Sequence, residues 1–347
     1  MISWVNKKSI DIRNVNDKIN SCIQTKHMTN GGVNVKKLEQ ELKTIFKLDS
    51  DKETLLVCNG ASGLYALVGG MNIHYNKKLK WAVQAFTFPC SNQGLLIDSI
   101  IMDIDKNMGP NIIELTERKD EYDGILITNC FGCSVNIKLY EDFCKEHNKL
   151  LLFDNAAASM TYYNNINHLN NGNGCMVSLH HTKPIGFGEG GFIVFDKIYL
   201  ESMKKAICFG FTDTNKLEYN MYASNYKMSE IACVYIAEYL KNVDKIYEHH
   251  RKHITYFLDK MPDSVTIVKS YSPYDVSLMS TIPILFNKMV STDKFTENGI
   301  EAKKYYYPLD FNCKNSVDLF NNIICLPLNM DVTEKIIDRY IEIINCL

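Results

Sequence analysis

Strong charge of one sign is the first thing that this chain lacks. Its 347 residues carry 38 Lys and Arg against 40 Asp and Glu, and these charges are scattered along the sequence. Nucleic-acid binding needs a basic patch or stripe, so we expect no nucleic acid partner. The chain also has no run of about 18 apolar residues, the length that a membrane-spanning helix requires. Residues 1–8 lack the apolar stretch of a signal peptide, and we therefore expect a cytoplasmic protein that does not use a membrane.

Patterns typical of metal sites and disulfide frameworks are missing as well, although the chain contains 12 cysteines. Several of them fall inside apolar runs, where cysteine behaves as a small apolar residue: Cys58, Cys90, Cys175 and Cys233. One C-x-x-C pair, Cys130 and Cys133, has no second pair to complete a zinc site and no thioredoxin-like context. The adjacent His180 and His181 would point to opposite faces of a strand. We predict reduced thiols and no bound metal.

Short apolar runs alternate with helical patterns through the first 210 residues or so. The runs that read as strands are 54–58, 81–85, 99–102, 124–128, 150–153, 175–179 and 191–195, and helices are predicted near 34–46 and 62–70. This alternation is typical of an α/β layer built on a mostly parallel sheet. Beyond residue 210 the pattern changes to a helix near 228–243, shorter strands and a final helix from about 333. We predict a large domain over 1–210 and a smaller C-terminal domain over 211–347.

Three segments contain residue types that suggest chemistry. The turn at 59–63 follows a strand and begins a helix, whose first amides can bind an anion, although an ordinary tight turn is the better explanation of this segment taken alone. Asp154 ends a buried strand, where open α/β sheets bind ligands, and it could either pair with a protonated ring nitrogen or cap the next helix. Lys183 follows another strand among glycines and fits a Schiff-base nucleophile, with a surface lysine as the simpler alternative.

Segments that match one known pattern recur in order along the chain. They are 28–33, 59–64, 86–88, 102–105, 131–132, 154–156, 178–191, 225–230, 299–302, 307–309 and 326–328. The most specific is SLHHTKPIGFGEGG at 178–191, followed by NYKMSE at 225–230. Together these segments resemble the DegT/DnrJ/EryC1/StrS family of nucleotide-sugar aminotransferases. The resemblance implies the fold type I architecture of pyridoxal 5'-phosphate (PLP) enzymes, with a large domain whose sheet is flanked by helices and a smaller C-terminal α+β domain.

The resemblance also implies a role for each matched position. Lys183 would hold PLP covalently and move a proton between the substrate carbon and the cofactor, while Asp154 would pair with the pyridine nitrogen. Phe88 would stack on the ring. The backbone amides of Ala61 and Ser62 and the hydroxyl of Ser178 would hold the cofactor phosphate. Asn225 of the partner subunit would bind the same phosphate. The active unit would therefore be a homodimer with its active sites at the subunit interface.

Two positions depart from the family pattern. The family has Gln or His where this chain has Ala157, so the hydrogen bond to the phenolic oxygen of PLP is either absent or supplied by another group such as Asn155. Ala61 replaces a threonine of the phosphate-binding turn, which removes a hydroxyl and leaves the backbone amide. A sister branch of the family has His instead of the cofactor lysine and catalyses dehydration, so Lys183 favours transamination.

The implied reaction moves an amino group from an amino acid, which we expect to be glutamate, to a nucleotide-linked keto sugar. The expected substrate is a dTDP- or UDP-linked 4-keto-6-deoxyhexose, which would give a 4-amino-4,6-dideoxy sugar of the viosamine type for glycan biosynthesis. A 3-keto sugar and a non-catalytic PLP-binding regulator stay open as alternatives. A nicotinamide oxidoreductase would need G-x-G-x-x-G after the first strand, which is missing. None of the four arginines lies in a matched segment, so no residue is assigned to the donor carboxylate.

Overall fold

A seven-stranded sheet forms the centre of the larger part of the protein in the computed structural model, which describes residues 1–211, 216–271 and 277–347. The strands are β1 (Lys52–Val57), β2 (Trp81–Gln84), β3 (Ile100–Met102), β4 (Gly124–Thr128), β5 (Leu150–Asp154), β6 (Tyr162–Tyr163), β7 (Ile166–Asn167), β8 (Gly174–Ser178), β9 (Gly191–Asp196), β10 (Val265–Ile267), β11 (Thr281–Phe286) and β12 (Ile323–Pro327). The α-helices are α1 (Ile12–Gln24), α2 (Val33–Ile45), α3 (Gly60–Tyr75), α4 (Ile112–Glu117), α5 (Ile137–Glu146), α6 (Leu200–Ile207), α7 (Glu230–Leu240), α8 (Val243–Lys260), α9 (Asp293–Glu297), α10 (Lys314–Asn322) and α11 (Glu334–Asn345).

The central sheet is mostly parallel, as the alternating pattern predicts. Its strand order is β1-β9-β8-β5-β4-β2-β3, and β9 alone runs antiparallel to both of its neighbours. The neighbouring pairs from β8 to β3 are all parallel. Parallel strands bring their carboxyl ends to one edge of the sheet, where open α/β sheets bind ligands. Thr128 and Asp154 are register partners at that edge, and Ser178 ends β8 close by.

Helices cover both faces of this sheet, which confirms the α/β fold. On one face α3 lies between the sheet and α6, and its residues 66–72 are all buried, so that it is covered on several sides. A helix covered on most sides needs apolar residues around most of its circumference, which explains why this segment shows no single apolar stripe. On the other face α2, α5 and α7 pack against the sheet.

A smaller α+β unit follows in the sequence. Strands β10, β11 and β12 form an antiparallel sheet, and α8 and α11 pack on it around Phe257, Ile284 and Tyr340. The predicted boundary at residue 210 stays a prediction, because α7 lies beyond that boundary in sequence and yet packs beside the large sheet. No helix of the described part of the chain is long and apolar enough to cross a membrane.

Residues 1–8, which we call the N-terminal strap, connect the smaller unit to the large sheet. Ile2 forms a bridge with Ile300, and the backbone amide of Trp4 donates to Oε2 of Glu301 at 2.7 Å. At the other end of the strap, Nζ of Lys8 donates to carbonyl groups of the loop that contains Lys183. The strap therefore runs past the edge of the sheet where its strands end.

Candidate active site

A cavity of about 490 Å³ lies at this carboxyl edge, between the large sheet and the smaller unit. The residues that line it from the large sheet and its loops include Asn59, Gly60, Ala61, Phe88, Cys90, Thr128, Asn129, Asp154, Ala157, Ser178, His180 and Lys183. Five of the sequence-predicted site residues are thereby brought together: Ala61, Phe88, Asp154, Ser178 and Lys183. A concave pocket with a few converging polar groups is the usual form of a small-molecule site.

The N-terminus of α3 forms one wall of the cavity. Asn59 caps this helix, and its Oδ1 accepts a hydrogen bond from the amide of Ser62 at 2.9 Å. Gly60 and Ala61 are the first helical residues, so their amides have no acceptor within the helix. A Cβ at Gly60 would lie 3.0 Å from Cβ and 3.3 Å from Oγ of Ser178. The glycine therefore lets the serine hydroxyl sit against a helix N-terminus, an arrangement that suits a phosphate group.

Asp154 forms the floor of the cavity at the end of β5. Its side chain is 1% exposed, and Oδ1 accepts a hydrogen bond from the amide of Ala156 at 2.9 Å. Burial raises the pKa of this carboxyl, while the Ala156 amide and the nearby Lys183 act in the opposite direction. A buried carboxylate of this kind favours a proton or a positively charged partner beside it.

Lys183 reaches the same cavity from the loop between β8 and β9. The loop is folded on itself, since the Lys183 amide donates to the carbonyl of His180 at 2.8 Å and the Gly186 amide donates to that of Lys183 at 3.1 Å. A Cβ at Gly186 would lie 2.1 Å from the His180 carbonyl oxygen, so only glycine fits there. Burial lowers the pKa of the Lys183 amine, which increases the neutral, nucleophilic fraction. The charge of Asp154 raises that pKa and so moderates the effect.

Aromatic walls that the sequence reasoning missed close the other side of the cavity. Trp4 comes from the N-terminal strap, and Tyr305 and Tyr306 come from the smaller unit. The Tyr306 ring stacks on Phe131 with 5.2 Å between ring centroids, and the Tyr305 ring meets Trp4 edge-on at 5.6 Å. The run of three tyrosines beside the matched segment 307–309 is a signal that could have identified this wall. Trp4 carries no such signal, because its approach depends on the tertiary fold.

Asn155 does not replace the Gln or His that this chain lacks. Its Oδ1 accepts a hydrogen bond from Asn129 at 2.8 Å, its amide nitrogen lies 3.3 Å from Nδ1 of His168, and the residue is not among those lining the cavity. Ala157 does line the cavity. The suggestion that Asn155 supplies the missing hydrogen bond is therefore wrong, because its amide is already used in a buried network.

Two other predicted residues lie outside the cavity of their own chain. Ser62 is not among the lining residues, and its amide donates to the cap residue Asn59. Asn225 is exposed and is likewise absent from the lining, although its backbone pairs with Cys208 on the surface. The phosphate-binding roles of Ser62 and Asn225 stay predictions.

Three basic side chains of the described residues face the cavity. They are Lys183, Lys303 and His180, and Lys303 already pairs with Glu301 at 3.3 Å. No arginine lines it among residues 1–211, 216–271 and 277–347. In the same part of the chain, no group of three His, Cys, Asp or Glu side chains is placed to hold a metal ion.

The donors and acceptors of the cavity fit PLP. A phosphate matches the α3 N-terminus beside Ser178, a protonated ring nitrogen matches the buried carboxylate of Asp154, and an aldehyde matches the amine of Lys183. The aromatic ring of Phe88 is 53% exposed beside these groups and offers a flat apolar surface.

Comparison with known proteins gives one family and several relatives. The model of the DegT/DnrJ/EryC1/StrS aminotransferase family matches residues 10–345. Protein Rv3402c of Mycobacterium tuberculosis is 26% identical over 301 residues, covering 82% of this chain and 71% of that protein. GDP-perosamine synthase of Vibrio cholerae is 22% identical over 302 residues, covering 84% and 81% of the two chains.

Solved structures show the same fold. Helicobacter pylori PseC, an aminotransferase involved in the biosynthesis of pseudoaminic acid, superposes with a TM-score of 0.85 at 19% identity. The superposition covers 99% of this chain and 98% of PseC. At 19% identity the structural similarity establishes the fold alone, so the chemistry has to be argued from the residues that line the cavity.

Proposed function

The chain belongs to the DegT/DnrJ/EryC1/StrS aminotransferase family, and we propose that it transfers an amino group from glutamate to a nucleotide-linked 4-keto-6-deoxyhexose. Family membership together with the lysine at position 183 indicates a PLP-dependent sugar aminotransferase. The observation that carries the proposal is the meeting of Lys183 and Asp154 in one cavity with the N-terminus of α3. The product would be a 4-amino-4,6-dideoxy sugar of the viosamine type, linked to dTDP or UDP.

Asp154, Lys183 and the phosphate-binding groups of the cavity each have a defined task in this reaction. When bound, PLP supplies a ring that withdraws electrons from the substrate carbon next to its nitrogen. Asp154 keeps a positive charge at the ring nitrogen, because a buried carboxylate is stabilised by a cation beside it. Nζ of Lys183 holds the cofactor and carries a proton to and from the substrate carbon. The amides of Gly60 and Ala61 and the hydroxyl of Ser178 hold the phosphate.

The aromatic wall supports a sugar nucleotide as the amino acceptor. Trp4, Tyr305 and Tyr306 offer ring faces that suit the apolar face of a sugar or a nucleobase, and the cavity of about 490 Å³ is of the size that small-molecule sites have. Lys303 is the cation of this wall, with its Nζ 5.3 Å from the centre of the Trp4 ring. We propose that Lys303 binds the negative groups of both substrates, which are the diphosphate of the sugar nucleotide and a carboxylate of the donor.

Exposed apolar side chains near Asn225 support a homodimer. Phe209 is 50% exposed and Met221 is 81% exposed, and the Phe209 amide donates to the carbonyl of Ser224, the residue before Asn225. A cluster of exposed apolar groups is typical of a surface that another chain covers. We propose that a second copy covers it and that Asn225 reaches the phosphate site of that copy, since Asn225 does not line the cavity of its own chain.

The decisive experiment follows the cofactor absorbance of the purified protein. Glutamate should bleach the yellow colour, and a 4-keto-6-deoxy sugar nucleotide should restore it. Mass spectrometry of a panel of dTDP-, UDP- and GDP-linked 3-keto and 4-keto sugars identifies the amination product. A product from 3-keto sugars alone would replace the proposed substrate. Colour that glutamate never bleaches would favour the alternative of a PLP-binding protein without turnover.

Lys183→Ala provides the matched variant for this assay. Without the amine, we expect no covalent attachment of PLP and no turnover, because no other lysine except Lys303 lines the described cavity. Reduction with borohydride followed by peptide mapping should place PLP on the wild-type peptide that contains residue 183. Lys7→Ala, an exposed lysine, is the control and should keep both labelling and activity. Turnover by Lys183→Ala would refute the assignment.

A further inference from the structure

Lys8 is a half-buried lysine on the N-terminal strap, and no acidic side chain of the described residues pairs with it. Its Nζ donates hydrogen bonds to the carbonyl of Lys183 at 2.5 Å and to that of Gly186 at 2.6 Å, and it lies 3.5 Å from that of Pro184. In the part of the chain that the structure describes, no carboxylate offsets its charge. Burying an ammonium group without a counter-ion is costly, so the contacts that it makes there need an explanation.

The surroundings of Lys8 hold its ammonium group against the loop. The ring of Tyr239 lies 4.9 Å from Nζ, and the Tyr239 hydroxyl donates to the Pro184 carbonyl at 3.4 Å. The other titratable side chains that face this point are His181 and the buried His250. Pro184 has no amide hydrogen and so donates no backbone hydrogen bond to the loop. Lys8 and Tyr239 donate to the carbonyl groups beside it, in addition to the bond that the Gly186 amide makes to the Lys183 carbonyl.

We propose that Lys8 is a positioning residue for Lys183, because it fixes the backbone of the loop that carries the cofactor lysine. The geometry is specific to this loop: Nζ reaches the carbonyl groups on both sides of Pro184 and that of Gly186, while the side chain of Lys183 extends into the cavity. Lys8 acts on the backbone and is not among the residues that line the cavity. A lysine that must carry a proton between fixed atoms loses rate when its backbone can shift.

The proposal rests on the proposed role of Lys183, and its test separates the two. Hydrogen–deuterium exchange of the cofactor-free protein reports on the loop whether or not Lys183 binds PLP. The amides of His181, Lys183, Gly186 and Phe187 all donate within the loop. In Lys8→Met we expect them to exchange roughly tenfold faster or more, because the hydrogen bonds from Nζ of Lys8 to the loop carbonyl groups are lost. Amides of α3 should keep the wild-type rate.

Steady-state kinetics then distinguish a positioning residue from a structural tether. Lys8→Met should lower kcat by about tenfold or more while KM for both substrates stays within about twofold. Lys8→Arg, which keeps a charged donor, should recover part of kcat and part of the protection. Lys7→Met is the control at an exposed neighbour and should match the wild type. If Lys8→Met does not fold, Lys8→Gln replaces it, and the same measurements apply.

Two results would overturn the proposal. Unchanged exchange in the loop of Lys8→Met means that Lys8 does not fix it. Faster exchange with an unchanged kcat means that Lys8 only ties the N-terminal strap to the large sheet. If Lys8→Met loosens the loop but Lys183→Ala retains activity, the assignment of Lys183 fails and the loop contact stands.

Discussion

Asp154 is a single buried carboxylate whose charge has to be stabilised by a ligand. We expect Asp154→Asn to keep part of its PLP, since the α3 N-terminus and Ser178 are unaltered, and to lose about 100-fold or more in kcat, because the ring nitrogen loses its anionic partner. Stopped-flow absorbance with glutamate measures this rate. Asp142→Asn, an exposed residue of α5, is the control. Near-normal rates in Asp154→Asn would remove the ring-nitrogen role.

Lys8 gives the protein a pH dependence of its own. Burial lowers its pKa to about 7, whereas a lysine of the unfolded chain holds its proton up to about pH 10.4. Between these values the unfolded state binds more protons, so the free energy of unfolding rises with pH. We expect the wild type to gain roughly 1–3 kcal/mol relative to Lys8→Met between pH 7 and pH 10. Urea denaturation of both proteins across this range tests it, and parallel curves would contradict the lowered pKa.

Residues of the site were predictable where their position in the sequence determines their position in the fold. Asp154 and Ser178 end neighbouring strands and Lys183 follows one of them, so a parallel sheet had to bring them to one edge. Trp4 was missed because it and Tyr305 come from opposite ends of the chain and no local pattern reports that they meet, whereas the run of three tyrosines at 305–307 was a usable signal. Asn155 was misjudged because its partners Asn129 and His168 belong to a buried network that the sequence does not reveal.

At the scale of elements, the start of α2 explains why two matched segments belong together. Glu230 is 1% exposed and accepts hydrogen bonds from the amides of Asn34 at 3.0 Å and Val35 at 3.1 Å. A carboxylate stabilises a helix N-terminus, and Gly32 leaves room for it, since a Cβ there would lie 2.7 Å from Glu230. The segments 28–33 and 225–230 therefore meet at the N-terminus of α2: the first leads into the helix, and the second supplies the carboxylate that caps it.

This cap predicts a large loss of stability for Glu230→Ala. The variant would leave the buried amide of Val35 and the half-buried amide of Asn34 without an acceptor, which we expect to lower the free energy of unfolding by about 2–3 kcal/mol. Urea denaturation followed by circular dichroism measures the change. Glu41→Ala is the control on the same helix, where an exposed pair with Lys37 at 3.6 Å should contribute less than about 0.5 kcal/mol. Equal effects of the two substitutions would argue against the cap.

The strands and helices themselves followed closely from the sequence, with differences at their ends. The predicted helix at 62–70 is α3, which begins at Gly60 and continues to Tyr75. The prediction ended too early because the later residues are apolar on several sides and show no periodic stripe. The predicted helix near 228–243 is α7, and α8 follows it after a break at Lys241 and Asn242. Periodicity locates the centre of a helix, whereas the cap and the packing determine where it ends.

At the scale of the whole molecule, the homodimer can be tested by mixing inactive variants. Asn225→Ala and Lys183→Ala damage different subunits of one site if Asn225 acts across the interface. Unfolding and refolding an equal mixture should then restore about a quarter of wild-type activity, because half of the dimers are mixed and each has one intact site. Refolded single variants are the controls. No recovery in the mixture would mean that both residues serve the same chain.

The change of pattern near residue 210 predicts that there are two units, but it does not predict which residues connect them. The N-terminal strap pairs Ile2 with the smaller unit and places Trp4 in the cavity, a path that depends on tertiary structure alone. The cytoplasmic location and the domain boundary stay predictions.

The reversed direction of β9 has a practical consequence for protein engineering. Because β8 and β9 are antiparallel neighbours, Ser178 and Gly191 are register partners, and the segment between them leaves and re-enters the sheet at one point. The reactive lysine therefore lies on a loop whose two ends are fixed in neighbouring strands. Libraries that vary exposed positions of this loop, such as Thr182 and Glu189, would sample new acceptor preferences while the rest of the fold stays constant.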